Sequence, residues 1–155
     1  MIRKITEADR QGTFNLVKEF QEEALNKTSI SIDENTMKQH INTAILKDIP
    51  RVFVYIKEGV VGLISGVVIP SFFHNNKVMA FELMWYVSKK FRGGNVGNEL
   101  LNAFEEYAIK NKSEHIIMVA PFYSGNEREN NIFEYLYKKK GYRKLETHYI
   151  KNLGG

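Results

Sequence analysis

The stretch that decides the fold is residues 82–101, which read ELMWYVSKKFRGGNVGNELL. Its apolar and aromatic start completes a strand predicted over residues 78–87, and a polar, basic loop with two consecutive glycines follows. From Asn95 the pattern changes period, because apolar residues fall 3, 4, 7, 10 and 11 positions after Gly97 and so share one helix face. The order strand, glycine loop and helix predicts an α/β unit.

Such a junction is a means of holding phosphate. The first turn of a helix leaves backbone N–H groups unpaired and carries partial positive charge, and Gly93 and Gly94 let an anion approach the backbone. The nucleotide motifs fit less well, since no Lys-Ser or Lys-Thr pair follows the glycines and the spacing with Gly97 is not GxGxxG. Taken alone, these residues fit an anion site and an ordinary strand-to-helix turn equally well.

Hydrophobic periodicity predicts alternating strands and helices on both sides of this junction. The Glu58-Gly59 pair is typical of a hairpin turn, and a second turn is predicted at residues 72–76. The predicted strands cover residues 2–5, 51–56, 60–69, 78–87, 115–120 and 142–150. The predicted helices open at Thr6 and Asp9, run from residue 33 or 35 to 46, start at Asn95, and cover residues 132–140 after a polar loop at 126–131.

Length and composition predict one globular domain over residues 1–155. A chain of 155 residues with 43% hydrophobic content is too short for two ordinary domains and long enough to need no disulfide or metal. It has no cysteine, and its longest nearly apolar run, residues 60–69, is too short to span a membrane. The N-terminus lacks the apolar stretch of a secretory signal. We therefore expect a cytoplasmic protein with no membrane segment.

The net charge of +4 is mild. Basic residues concentrate at residues 89–92 and 138–144, which suits an anionic ligand such as a phosphorylated cofactor, although a solvated basic face is the ordinary explanation. Charge alone does not separate these cases from a nucleic-acid binder, but nucleic acid is not the partner that we expect. The four histidines share no short spacing and no cysteine can assist them, so no metal site is predicted.

Residues 82–101 resemble the acetyl-CoA signature of the GNAT superfamily of N-acetyltransferases. The family pattern is Arg or Gln, two residues, Gly, one residue, then Gly or Ala, and it maps onto Arg92, Asn95 and Gly97. Asn95 stands where the family usually has Gly, and Asn tolerates unusual backbone angles better than most residues. Gly94, one position earlier, can also supply the backbone freedom that the family's glycine gives at position 95.

A second match to the family lies downstream. Tyr137 stands four residues before the Gly141-Tyr142 pair, which is similar to the family's penultimate helix. Together with the order of elements, the resemblance spans the whole chain. It implies a single-domain α/β (α+β) fold of the GNAT type, with a mixed, mostly antiparallel central sheet flanked by about four helices.

The resemblance also implies that acetyl-CoA is the cofactor. The strand at residues 81–87 would part from the strand at residues 115–120, and its free backbone groups would bind the pantetheine arm. The loop and the helix start would hold the pyrophosphate. The residues implied to bind the cofactor are Trp85, Tyr86, Val87, Arg92, Gly93, Gly94, Asn95, Val96, Gly97, Asn98 and Asn130.

Two catalytic roles follow from the same resemblance. Tyr137 would protonate the departing thiolate, and Glu82 would take the proton of the attacking amine, directly or through water. Each residue has a structural alternative. Tyr137 would pack beside Phe133 with its hydroxyl satisfied, and Glu82 would be a residue on a wet strand face or a buried carboxylate paired with a basic side chain. Trp85 is expected to form a pocket wall.

The implied function is acetyl transfer to a primary amine of a small molecule or peptide by direct attack on the thioester. Similarity of fold does not show which amine is the acceptor. A larger acyl group is an alternative to acetyl, because the motif binds only the CoA part of the donor. A catalytically silent CoA-binding domain or a basic interaction module of the same fold is the alternative function. Dimers are common in the family, so a homodimer is one expectation.

The acceptor side is predicted from the family's arrangement of helices. The two helices before the hairpin would form its walls, and acidic residues there would favour a cationic amine. The sequence offers Phe20, Glu22, Glu23, Asn26 and Lys27 for these walls, with Phe72, Phe73 and Tyr123 as added aromatic surface.

Overall fold

A computed structural model describes residues 1–71, 74–120 and 127–153 of the chain, without the side chains of residues 27 and 127–131. This part of the chain forms five strands and four α-helices. The strands are β1 Ile2–Lys4, β2 Arg51–Ile56, β3 Val60–Ser71, β4 His74–Val87 and β5 His115–Ile117. The helices are α1 Arg10–Glu23, α2 Glu34–Lys47, α3 Val96–Lys110 and α4 Glu127–Lys139. Short 3-10 turns lie at Glu7–Asp9, Leu25–Lys27 and Lys89–Phe91.

The strands form one mixed sheet in the order β1-β2-β3-β4-β5. Neighbours from β1 to β4 are antiparallel, and β5 lies parallel to β4. The predicted mixed, mostly antiparallel sheet is therefore confirmed, and β2, β3 and β4 form an antiparallel meander. The β2–β3 hairpin turns through Gly59, whose φ of 123° favours glycine.

Helices cover both faces of the sheet, as the periodicity of α1 and α3 predicts. On one face α1 and α2 bury an apolar cluster with the sheet, and on the other face α3 does so. The buried residues of the first cluster are Ile5, Phe14, Leu16, Val17, Ile41, Ala44, Val52, Val54, Leu63 and Tyr86. Those of the second cluster are Ile64, Ala80, Leu100, Phe104 and Ala108.

The junction before α1 is capped as predicted. The Asp9 carboxylate accepts the backbone N–H of Thr6 at 2.9 Å, and the two residues form a capping box. Arg3 of β1 donates to both oxygens of Asp9, at 2.6 and 2.7 Å. These contacts satisfy the buried Asp9 and fix the start of α1 against the first strand.

An irregularity in β4 positions the site. Ser65 of β3 pairs with Met84, but the next residue, Gly66, pairs with Glu82, so Leu83 is one extra residue on β4. Such a β-bulge bends a strand and increases its twist. The parallel pairing of β4 with β5 covers Met79 to Phe81 and ends there, so the two strands part at Glu82.

Four sequence predictions need correction. The turn predicted at residues 72–76 is too long, because β4 already begins at His74. Helix α4 begins at Glu127 instead of residue 132, because its polar first turn carries no apolar periodicity that could reveal it. Strand β5 ends at Ile117, three residues before the predicted end. The strand predicted at residues 142–150 is wrong, since these residues pair with no strand in the described chain. Their alternating pattern is not sufficient without a neighbouring strand to bond with.

Candidate active site

The loop between β4 and α3 exposes backbone at the start of a helix. Gly93 has a φ of 82°, which a residue with a side chain rarely adopts, so glycine is required there. A Cβ built on Gly93 or Gly94 would meet no described atom within 4 Å, and the backbone of both residues is therefore open to a ligand.

Helix α3 begins at Val96, so the N–H groups of its first turn lack carbonyl partners within the helix. In the described chain the side chain of the N-cap residue, Asn95, does not bond to these groups. It accepts from Asn98 Nδ2 and donates to Glu99 Oε1, both at 3.2 Å. The free amides and the open glycines fit a diphosphate.

Gly97 holds α3 close to β4. A Cβ on Gly97 would lie 3.5 Å from Cζ2 of Trp85 and 3.9 Å from Cγ2 of Val87. Trp85 and Val87 face this side of the sheet, whereas Tyr86 faces α1. Trp85, Tyr86 and Val87 lie beyond the point where β4 and β5 part. This end of β4 therefore lies beside the glycine loop.

The side chain of Arg92 is tied to the protein. Its Nη1 and Nη2 donate to the two oxygens of Glu23 on α1, both at 2.7 Å, and its Nε donates to the carbonyl of Val87 at 2.8 Å. The guanidinium also lies over the ring of Tyr86, 5.2 Å from its centroid. The hydrogen bond from Arg92 lowers the pKa of Glu23, and the same bond raises the pKa of Arg92. The pair is charged at any ordinary pH.

Sequence reasoning missed Glu23 as the partner of Arg92. The sequence places a fixed positive charge at Arg92 beside the anion site, whereas in the structure a carboxylate balances that charge. No local pattern could show the pairing, because the two residues lie 69 positions apart in the chain. The Tyr86 hydroxyl donates to the same carboxylate at 2.6 Å.

Glu82 is buried where β4 and β5 part. Its side chain is 6% exposed, and its Oε2 accepts the backbone N–H of Val119 at 2.9 Å. Burial raises the pKa of Glu82 to about 7, and the Val119 hydrogen bond opposes this only in part. The alternative of a wet strand face is therefore wrong. No basic side chain pairs with Glu82 among the ion pairs of the described residues.

Tyr137 reaches the same backbone segment from α4. Its hydroxyl donates to the carbonyl of Val119 at 2.8 Å, so Glu82 and Tyr137 bond to the N–H and the carbonyl of one residue. The ring lies against Trp85 and Phe133, with centroids 6.2 and 6.3 Å away. Burial raises the pKa of Tyr137, and the nearby charge of Glu82 adds to this. Both expected features, a packed ring and a satisfied hydroxyl, are present.

The end of α4 holds Tyr137 in place. Gly141 has a φ of 85°, and the N–H of Tyr142 donates to the carbonyl of Tyr137 at 2.9 Å. Lys140 Nζ and the Tyr142 hydroxyl both donate to Glu105 of α3, at 2.7 and 2.9 Å. Lys138 and Lys139 are exposed.

A family model for the acetyltransferase (GNAT) family matches residues 14–142, which is most of the chain. The chain belongs to the GNAT acetyltransferase family. The suspected resemblance is confirmed, and with it the predictions that this GNAT protein is an acyltransferase and that acetyl-CoA is its cofactor. Among proteins of curated function, none matches the chain by sequence.

Solved structures of other acetyltransferases are similar to this GNAT protein in fold. One is an aminoglycoside acetyltransferase from an uncultured soil metagenomic sample, in complex with sisomicin, with TM-score 0.71, 16% identity, and coverage of 99% of this chain and 96% of the other. Another is glucosamine-6-phosphate N-acetyltransferase from Arabidopsis thaliana, with TM-score 0.73, 16% identity, and coverage of 99% and 98%. A third, from Clostridium acetobutylicum, is described as a predicted acetyltransferase with acetyl-CoA, with TM-score 0.70, 15% identity, and coverage of 99% and 96%.

Of the residues expected on the acceptor side of this GNAT protein, some contact other side chains and others are exposed. Phe20 packs edge-on against Tyr86, with ring centroids 5.4 Å apart, and Glu23 is engaged by Arg92. Glu22 and Asn26 are exposed. The side chain of Lys27, and all of Phe72, Phe73 and Tyr123, lie outside the described residues. The same holds for the side chain of Asn130, which was expected to bind the cofactor.

The described residues of this GNAT protein contain neither a metal-binding cluster nor a membrane-crossing helix. No group of three or more histidine and carboxylate side chains there is placed to hold a metal ion. None of the helices in that part of the chain combines the length and the apolar character that crossing a membrane requires.

Proposed function

We propose that this protein transfers the acetyl group of acetyl-CoA to a primary amine by direct attack on the thioester. The observation that carries this proposal is the meeting of Glu82 and Tyr137 at Val119, where β4 and β5 part. A proton acceptor and a proton donor are thereby held together beside β4, the strand that leads into the open helix start of α3. This combination fits acyl transfer better than it fits simple binding.

The cofactor residues act mainly through the backbone. The N–H groups of Val96, Gly97 and Asn98, with the open backbone at Gly93 and Gly94, would hold the diphosphate. The edge of β4 from Trp85 to Val87, which β5 leaves unpaired, would hold the pantetheine arm, with the Trp85 ring as a wall. The side chain of Arg92 stabilises this loop through its hydrogen bonds to Val87 and Glu23.

Acetyl-CoA held by these backbone groups would supply the thioester, whose carbonyl carbon would bond to the amine nitrogen as the C–S bond breaks. Glu82 takes the proton of the amine on its carboxylate, and with a pKa of about 7 it is ionised in a useful fraction at neutral pH. Tyr137 gives its hydroxyl proton to the leaving sulfur, for which the hydroxyl turns away from the Val119 carbonyl. Because the pKa of Tyr137 is raised, its hydroxyl is protonated at neutral pH and can serve as the proton donor.

The acceptor class follows from Glu82. An ionised, buried carboxylate attracts an ammonium group, so a cationic amine is the proposed acceptor. The ammonium group releases one proton to solvent to become the neutral nucleophile, and Glu82 takes the second proton as the C–N bond forms. The structural relatives named above act on an aminoglycoside and on an amino sugar phosphate. At such low identity, these relatives do not show whether the acceptor is a small molecule or a peptide.

A cytoplasmic location and a homodimer stay predictions.

The experiment is an acceptor screen with two matched variants. Acetyl-CoA and a panel of aminoglycosides, amino sugars, polyamines and peptides are incubated with the protein, and thiol release is measured. Tyr137→Phe should lower release by about a hundredfold, the usual contribution of a general acid, with CoA affinity unchanged by calorimetry. Tyr135→Phe is the control, since Tyr135 is on the same helix and 69% exposed.

The outcomes separate the two candidate functions. Amine-dependent thiol release that Tyr137→Phe abolishes supports the transferase. CoA binding without release for any amine supports the silent CoA-binding domain, which the Asn95 departure from the family pattern favours. A protein that gives no heat with CoA would contradict both.

A further inference from the structure

Two carboxylates of α1 bind the loop that precedes α3. Glu23 takes both terminal nitrogens of Arg92 at 2.7 Å, and Glu19 Oε1 accepts the backbone N–H of Lys89 at 3.2 Å. The hydroxyl of Tyr86 lies between these carboxylates, 2.6 Å from Glu23 Oε2 and 3.2 Å from Glu19 Oε1. The 3-10 turn at Lys89–Phe91 is therefore held to α1 at its start and just after its end.

The glycines that follow have no such support. A Cβ at Gly93 or Gly94 would contact no described atom within 4 Å, so the space beside these two residues is open. Arg92 is the last residue before them with a firm tie, because its Nε also bonds to the carbonyl of Val87 at the end of β4. The direction in which the loop enters α3 depends on that tie.

We propose that Glu23 is a positioning residue for the cofactor: through Arg92 it holds the loop so that the first amides of α3 present themselves together to the diphosphate. This inference rests on the proposed function, since it needs CoA to bind at these amides. Glu23 itself does not touch the cofactor. An acid on the predicted acceptor side thus serves the opposite side of the active site.

The charge of the pair gives the proposal a definite sign. Glu23 neutralises Arg92, and both side chains are partly shielded, at 22% and 39% exposure. If Arg92 acted as a free cation on the phosphates, Glu23 would compete with them, and removing its charge would tighten CoA binding. If the pair acts by positioning, removing the charge loosens CoA binding.

The first test compares Glu23→Gln with Glu22→Gln. Both variants remove one negative charge from the same turn of α1, but Glu22 is exposed. We expect Glu23→Gln to raise the Kd for CoA by about two- to fivefold, a typical effect of losing a partly exposed ion pair. We expect the KM for acetyl-CoA to rise in parallel with little change in kcat. Glu22→Gln should leave the Kd for CoA at the wild-type value.

A second test asks whether the effect passes through Arg92. Arg92→Gln uses the family's alternative residue at this position and cannot make the bidentate pair. The Kd for CoA should be the same for Arg92→Gln and for Arg92→Gln combined with Glu23→Gln, because the tie is already lost. Glu23→Asp, which keeps the carboxylate, should restore part of the affinity. Additive effects of the two Gln substitutions would contradict the route through Arg92.

The results distinguish this proposal from the proposed function. Thermal melting shows whether each variant is folded, and Glu23→Asp provides a milder change if Glu23→Gln is not. Wild-type protein that does not bind CoA defeats the proposed function and this inference together. Wild-type protein that binds CoA, with Glu23→Gln binding as tightly or more tightly, defeats this inference alone.

Discussion

Glu82 combines a buried position with a titration in the neutral range. Burial raises its pKa to about 7, and in the described chain only the Val119 N–H opposes this shift. An ordinary exposed glutamate would be a weak base with a pKa of 4.5. The environment at the parting of β4 and β5 therefore converts a common residue into a base that is matched to neutral pH.

The pH dependence of kcat/KM tests this role. Because Glu82 must be ionised to accept a proton, kcat/KM should rise with pH and level off above about pH 7. Glu82→Gln should lose this limb and lower the rate by about a hundredfold. A second limb from the acceptor's own amine stays in both proteins and serves as the internal control. The same limb near pH 7 in Glu82→Gln would show that another group is the base.

At the residue scale, the sequence predicted which residues lie at the site better than it predicted their burial and their contacts. The family resemblance implied both Glu82 and Tyr137, and the structure brings them to one backbone residue. The burial of Glu82 and the pairing of Arg92 with Glu23 depend on contacts between distant segments. Nothing in the local sequence around residue 92 distinguishes an arginine that is free from one that is paired.

At the scale of elements, the contact between β3 and α3 is the tightest feature near the site. A Cβ on Gly66 would lie 2.3 Å from the carbonyl oxygen of Phe81 and 2.5 Å from the ring of Phe104. Gly66 faces the bulge on β4, which pairs it with Glu82. Close approach of α3 at this point sets how the helix start meets β4, and so where the diphosphate amides lie.

Gly66→Ala tests this packing. The added methyl group cannot be accommodated without moving backbone, so we expect a loss of about 1–3 kcal/mol in the free energy of unfolding, the usual cost of overpacking a core. For a domain of this size the Tm should fall by roughly 2–12 °C. Gly94→Ala is the control for stability, because its Cβ would meet no described atom within 4 Å. Equal Tm values for the two variants would contradict the tight packing.

Elements with strong apolar periodicity were predicted well, and those without it were not. Helix α3 presents Leu100, Leu101 and Phe104 on one buried face, and the spacing predicted this. The first turn of α4 is polar, so its start at Glu127 could not be read from periodicity. The bulge at Leu83 leaves no local pattern, because it is defined by register against β3.

At the scale of the whole molecule, the site lies where the sheet is least regular. The bulge, the early end of β5 and the buried carboxylate all occur within a few residues of Glu82. Burying an ionisable group opposes folding whenever the group is charged. The residue proposed as the base should therefore reduce the stability of the whole protein at the pH where it functions.

Stability as a function of pH measures that cost. The pKa of Glu82 rises from 4.5 to about 7 on folding, so the folded protein holds this proton more tightly, and stability falls as pH rises from about 4.5 to 7. The full loss, about 3 kcal/mol, is present above pH 7 and absent below pH 4.5. Glu82→Gln cannot ionise and should be more stable than the wild type at pH 8, with a Tm roughly 6–12 °C higher, and show little advantage at pH 4. Glu22→Gln, at an exposed position, should show no such pH-dependent difference. If the Tm difference between Glu82→Gln and the wild type were the same at pH 4 and pH 8, Glu82 would have an ordinary pKa in the folded protein, and it would lose its claim to be the base.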